Sequence, residues 1–146
     1  MKFAIHNFSL DKTKRLENIG KVFIKSIFNF DIISLEDICS EGFFCRLFSN
    51  VFPEYLSFIS NTEYLDIALK KIKQKIIFDN LQIINIARNG STVYSTLTID
   101  FIDRKTSIRH NEEVLVVLTF IQNKIVRAFT FMNSSSNCLK MLLNSL

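Results

Sequence analysis

The sequence has little of what usually announces a chemistry. It contains no Trp, one Pro, three Gly, three Cys and two His. The cysteines, Cys39, Cys45 and Cys138, are odd in number and form no Cys-x-x-Cys pair, so they are expected as reduced thiols in a reducing compartment. His6 and His110 lie far apart, no Cys/His spacing matches a zinc site, and no metal is expected. There is no glycine-rich phosphate loop, and no cofactor is expected. No window of 18 apolar residues exists, so no membrane partner is expected. The start, MKFAIHNFSLDKTKR, has no sustained apolar stretch and no small-residue cleavage site, which makes the cytoplasm the expected location. Internal repeats and low-complexity linkers are missing too, and residues 1–146 are expected to form one domain.

What is present is apolar and aromatic. Hydrophobic residues make up 48% of the chain and charged residues 22%, a globular balance. A chain of this length buries roughly 68–70% of its unfolded surface and needs no staples. The 15 Phe supply large apolar area without a polar handle, which implies a thick core, a greasy cavity or a greasy interface. The net charge of +4 is mild. Lys70, Lys71, Lys73 and Lys75 read as the solvated face and last turn of a helix, where cations complement the dipole. No aromatic platform adjoins them, so no nucleic-acid partner is expected.

Hydrophobic period gives the order of elements. From about Asp11 to Phe30, Leu16, Ile19, Gly20, Phe23, Ile24, Ile27 and Phe28 recur at helical spacing, with Asp11 as N-cap. Gly20 lies on the apolar face, where it suits close approach to another backbone. Ser34-Leu35-Glu36-Asp37 resembles a capping box for a short helix to about Glu41, ended by Gly42. The runs at Phe43 to Ser49 and Tyr55 to Ile59 read as a short hairpin; continuous helix is the rival, disfavoured by Pro53. Ser60 and Glu63 open a helix to about Lys75, with Tyr64, Leu65, Ala68, Leu69 and Ile72 as its buried stripe.

From Ile76 the period is two. A strand over Ile77–Arg88 leads through Asn89-Gly90, a strong hairpin signal, to a strand over Thr92–Ile102. A polar connection follows, and then EEVLVVLTFIQNKIVRAFTFM, two long strands joined at Gln122-Asn123-Lys124. The first of these is apolar on both faces, Val114/Val116/Leu118/Phe120 and Leu115/Val117/Ile121. Such a strand is covered on both sides. Helices can cover one side, and a partner subunit is expected on the other. Helices early and strands late indicate an α+β fold.

This order over residues 11–133, and the segment HNEEVLVVLTFIQNKIVRAFTFMN above all, resembles the nuclear transport factor 2-like superfamily, which includes ketosteroid isomerases and SnoaL-like polyketide-cyclase relatives. The resemblance implies a cone: three N-terminal helices packed on a curved antiparallel sheet of four long strands plus a short hairpin, with residues 134–146 as a tail. It implies a homodimer through the outer sheet face. It also implies a mostly apolar pocket lined by Phe23, Ile27, Tyr64, Val116, Leu118, Ala128, Thr130 and Met132.

Ketosteroid isomerases draw on a helix Tyr and two Asp carboxyls. By spacing, the Tyr position falls at Phe23, the strand acid at Val116, and the hairpin acid near Phe48 or Ser49. None of these can do that work. His110, followed by Glu112 and Glu113, and Asp100 are the candidate acid–base groups that remain. Each has a plainer reading: an exposed strand start for His110, and a solvent- or interface-facing carboxylate near Arg104 for Asp100. Tyr55, Tyr64 and Tyr94 suit core or rim packing, and Cys39 and Cys45 suit core thiols. Asn133 stands where relatives often carry an acid. Three functions stay open: non-enzymatic binding of an apolar small molecule or a protein, a lyase or isomerase using pocket acid–base groups, and an interaction module whose Phe side chains fill the cone.

Overall fold

The computed structural model describes residues 14–48 and 58–132. Asp11, the turn around Pro53, Tyr55, Asn133, Cys138 and the expected C-terminal tail lie outside the described residues. The chain runs α1 (Arg15–Phe28), α2 (Ile32–Ile38), β1 (Cys39–Phe48), β2 (Phe58–Ser60), α3 (Thr62–Lys75), β3 (Ile76–Asn89), β4 (Thr92–Asp103), β5 (Arg109–Ile121) and β6 (Lys124–Met132).

The first helix buries Gly20, Phe23, Ile24 and Ser26. It ends in a Schellman arrangement: the Phe30 N–H donates to Ile27 O at 3.2 Å and the Asp31 N–H to Ser26 O at 2.8 Å. Phe30 takes the left-handed conformation at φ 55, a place glycine usually holds. Its ring stacks on Phe78 at 5.4 Å, so packing accompanies the backbone cost. Asp31, directly after, caps α2 by accepting from the Ser34 N–H at 3.2 Å and the Ser34 hydroxyl at 2.6 Å. The expected cap at Ser34 is therefore three residues late. A carboxylate at the chain reversal is the better acceptor, and Ser34 becomes its donor.

Gly42 does not end a helix. It sits exposed within β1, where four residues from Ser40 to Phe43 face the single Val126 of β6. The expected hairpin is present as antiparallel pairing of Phe44, Cys45 and Arg46 with Ser60, Ile59 and Phe58. Asn61, not Ser60, caps α3: its side chain accepts from the Tyr64 N–H at 3.1 Å, and it holds φ 75.

One six-stranded sheet results, ordered β2-β1-β6-β5-β4-β3. The four long strands form an antiparallel meander, as expected. The junction of β1 with β6 is parallel, so the sheet as a whole is mixed. Turns at Gly90-Ser91 and Gln122-Asn123 join the meander; Gly90 holds φ 61, and Gln122 and Asn123 hold φ 51 and 64. Two positive φ values in a two-residue loop are the mark of a type I′ turn.

Bulges curve the sheet. In β3 the register shifts between Phe78 and Asn80 and between Ile83 and Asn85. Each inserts one residue, so Ile76, Phe78, Leu81, Ile83 and Ile86 all turn to one face despite two spacings of three. The buried Ser95 hydroxyl donates to Asn85 O at 2.9 Å, satisfying the second bulge. A third shift, at Thr119/Phe120, brings both Ile125 and Ala128 to the inner face of β6.

The three helices pack on the inner face around Phe23, Leu35, Leu69, Val93, Leu97, Phe101, Val114, Val116 and Leu118. Gly20 lies close against the sheet. A Cβ there would meet Val93 at 3.2 Å, Ile86 at 3.3 Å and Leu118 at 3.4 Å, so its neighbours are side chains rather than backbone. The outer face carries Leu115 and Val117 half-buried, Ile121 61% exposed, and an aromatic cluster in which Phe48 stacks on Phe131 at 4.6 Å.

Candidate functional site

The bulged strands draw the sheet around α1, and the Leu65/Leu69/Ile72 stripe of α3 covers the remaining side. The space enclosed is an apolar cavity in two adjoining lobes, about 90 and about 130 Å³. Phe23, Ile27, Phe78, Ile99, Val114 and Thr130 line both. The first lobe adds Ile24, Phe28, Leu81, Leu97 and Val116; the second adds Cys45, Arg46, Leu47, Met132 and the α3 stripe. An apolar cavity of roughly 150 Å³ takes one benzene. Each lobe is therefore close to one ring in capacity.

Five of the residues expected at a pocket, Phe23, Ile27, Val116, Thr130 and Met132, line this cavity. Leu118 and Ala128 are fully buried on the same face but outside the lining; Leu118 packs beneath Gly20 instead. Tyr64 is 55% exposed, and α3 presents Leu65, Leu69 and Ile72 to the cavity. The expected stripe is one residue too wide: Leu65, Ala68, Leu69 and Ile72 already complete a three- and four-residue spacing, and Tyr64 falls on its flank.

His110 and Asp100 do not meet. The His110 ring lies on the inner face, stacked on Phe101 at 4.9 Å and 15°. Asp100 lies on the outer face, where its carboxylate accepts from the Asn111 side chain. Beside it Arg109 forms an ion pair with Asp79, whose hydrogen bond holds the guanidinium pKa above its ordinary value, with Asp100 adding to the effect. Arg104 is not its neighbour; that guanidinium donates to Lys73 O at 3.0 Å. Tyr94 is half-buried on the outer face.

The thiols are poor nucleophiles. Burial pushes Cys45 up to about 12, and burial together with the nearby Cys45 pushes Cys39 up to about 12. Among the described residues no group of three His, Cys, Asp or Glu is placed to hold a metal ion. No helix among them is long and apolar enough to cross a membrane.

Several lining residues escaped the sequence pattern. Val114 and Ile99 were legible as inward-facing by alternation, whereas Phe78 was hidden by the bulge that follows it. Cys45 and Leu47 lie on a strand whose face is set by its parallel pairing to β6, which no local signal encodes. Glu112 is the surprise: it shares the inner face with Val114 and is only 8% exposed.

No protein-family model matches the sequence, and no curated protein matches it. Solved structures do. A nuclear transport factor 2-like protein from Burkholderia xenovorans superimposes with TM-score 0.69 at 13% identity, covering 83% of this chain and 91% of its own. An LEH-like epoxide hydrolase from M. tuberculosis gives TM-score 0.64 at 14% identity, covering 90% and 96%. A protein named for its likeness to SnoaL-like polyketide cyclases, from Mesorhizobium loti, gives TM-score 0.64 at 13% identity, covering 77% and 95%. The fold is the nuclear transport factor 2-like, SnoaL-like α+β cone.

Proposed function

We propose that this protein binds an apolar small molecule inside the cone, as a homodimer in the cytoplasm, without the chemistry of a ketosteroid isomerase. One observation carries the reading: the cavity wall in both lobes is built almost wholly from aliphatic and aromatic residues, with Arg46 at the second lobe as the one charged residue and no carboxyl, imidazole or phenol among the lining. Such a wall retains a ligand by area burial, at about 25 cal/mol per Å² of apolar surface removed from water. The positions where an isomerase would place its oxyanion donors hold Phe23 and Val116, and both face the cavity. The open lobes weigh against a cone filled by Phe side chains. The enzymatic alternative draws support from the activities named for structural neighbours, among them epoxide hydrolysis. It is weakened here by the placement of His110 and Asp100 on opposite faces of the sheet.

The dimer reading rests on the outer face of β5, where Leu115, Val117 and the exposed Ile121 lie on the face opposite the described helices. The decisive experiment for ligand binding is native mass spectrometry of the purified protein beside its Val116→Phe variant, whose ring would occupy the first lobe. A bound small molecule on the natural protein, lost in the variant, supports the reading. Absence of any bound molecule, with no saturable binding from a panel of apolar compounds, overturns it.

A further inference from the structure

Outside the cone, a groove of about 430 Å³ runs between α1 and β3. Lys21 and Lys25 line it from the helix, and Ile83, Ile84, Asn85 and Ile86 line it from the strand. β3 is the terminal strand of the sheet, so among the described residues one row of its backbone N–H and C=O groups meets no partner strand. Ile84 is the residue inserted by the second bulge; it faces no residue of β4 and is 60% exposed. The helix runs antiparallel alongside this strand: Glu17 pairs with Arg88 at 3.7 Å, the Gly20 Cβ position lies 3.3 Å from Ile86, and Phe28 stacks on Phe78 at 5.1 Å. Lys21 and Lys25 therefore follow one another along the free edge. Neither ammonium has an ion pair among the described residues, because the carboxylates of these two elements are engaged elsewhere, Glu17 with Arg88 and Asp79 with Arg109.

From this arrangement we infer that an extended acidic segment of a partner protein adds to the β3 edge as a further strand, with its carboxylates on Lys21 and Lys25. This surface lies outside the cavity, so the inference stands apart from the ligand reading above. The spacing fits. Residues four apart on a helix are about 6 Å apart along its axis, and alternate residues of a strand are about 6.6 Å apart on one face. An acid at every second position thus meets both lysines in a single register. Main-chain hydrogen bonds to the strand edge supply affinity, and the side chains that alternate along the added strand supply selection. Apolar side chains of the segment gain by covering the exposed Ile84. A second copy of this chain is the poorer occupant. Twofold pairing of β3 with β3 would bring Lys21 and Lys25 of both copies to one seam, with Glu17 and Asp79 already ion-paired.

The test is fluorescence anisotropy with a labelled peptide in which glutamate alternates with valine or threonine. Two further peptides carry N-methyl groups, one on the amides of the glutamates and the other on the amides between them; these two sets of amides lie on opposite edges of the strand. The parent peptide is expected to bind, one methylated peptide to bind about 10-fold more weakly, and the other to bind as the parent does. The Lys21→Ala, Lys25→Ala double variant, changed only at exposed helix positions, should bind the parent about 5-fold more weakly. Failure of the parent to bind overturns the inference. Equal binding of all three peptides overturns it too, since that is charge attraction without strand pairing. Unchanged binding by the double variant places the peptide elsewhere and overturns the site. Hydrogen exchange separates the remaining occupant: the amides of residues 80–86 should gain protection when the peptide is added. Protection already complete in the free protein means that a second copy covers the edge, which overturns the inference.

Discussion

Replacing Gly20 by Ala is a test of how α1 is held against the sheet, and the geometry sets the sign. In an open helix the change stabilises by about 1 kcal/mol, because Gly loses more backbone freedom on folding. Here the added methyl would lie 3.2 Å from Val93, 3.3 Å from Ile86 and 3.4 Å from Leu118. These three atoms belong to β4, β3 and β5, so no single side-chain rotation relieves the crowding. Overpacking of this kind costs about 1–3 kcal/mol. The net expectation is a loss of up to about 2 kcal/mol, centred near 1. Gly42→Ala is the internal comparison: nothing lies within 4 Å of its Cβ position and its φ is unexceptional, so the change should be neutral or stabilising by up to about 1 kcal/mol. Urea unfolding followed by far-ultraviolet circular dichroism reads both midpoints. If Gly20→Ala raises the midpoint as much as Gly42→Ala does, the close approach of α1 to the sheet is wrong.

Other expectations follow from single features. Asn61→Ala removes the cap of α3 and keeps the Cβ that Asn61 already holds at φ 75, for a loss of about 1 kcal/mol; Asn61→Gly removes the cap and that Cβ together, so its loss should be smaller. Equal losses in the two variants would contradict the backbone part of that account. The buried thiols tie stability to alkaline pH. With folded values raised to about 12 from an ordinary 9.0, they contribute stability fully below pH 9.0 and lose it as pH rises from there towards 12. Denaturant midpoints should therefore fall over that window, and the Cys39→Ala, Cys45→Ala double variant should flatten the fall. Val117→Asp on the outer face should shift sedimentation from dimer to monomer at unchanged secondary structure; a natural protein that sediments as a monomer would refute the dimer.

Much of the fold was legible because long periodic segments carry it. The β5–β6 hairpin announced itself by two-sided apolar alternation and a polar turn, and the structure places it at Arg109–Ile121 and Lys124–Met132. Local caps were misjudged by one to three residues, since Asp31 and Asn61 compete with serines that are equally good on paper. The site was less legible. Phe23, Ile27 and Val116 could be placed on inward faces from spacing alone. Phe78 could not, because one inserted residue between Phe78 and Asn80 reverses the alternation on which face assignment depends. Glu112 was read with Glu113 as a pair at an exposed strand start, yet adjacent strand residues point to opposite faces. Glu112 is buried beside the cavity and Glu113 is exposed. The parallel pairing of β1 to β6, which brings Cys45 and Leu47 to the cavity, is set only by tertiary structure.

The central claim is that the cone holds an apolar ligand. Methyl-resolved nuclear magnetic resonance, with the protein titrated by benzene, tests it most directly. The account predicts saturable shifts at the methyl groups of Ile27, Ile99, Val114 and Val116, which line the cavity, while Leu115 and Val117 on the opposite face of the same strand stay still. No saturable change, or shifts confined to Leu115 and Val117, would contradict it.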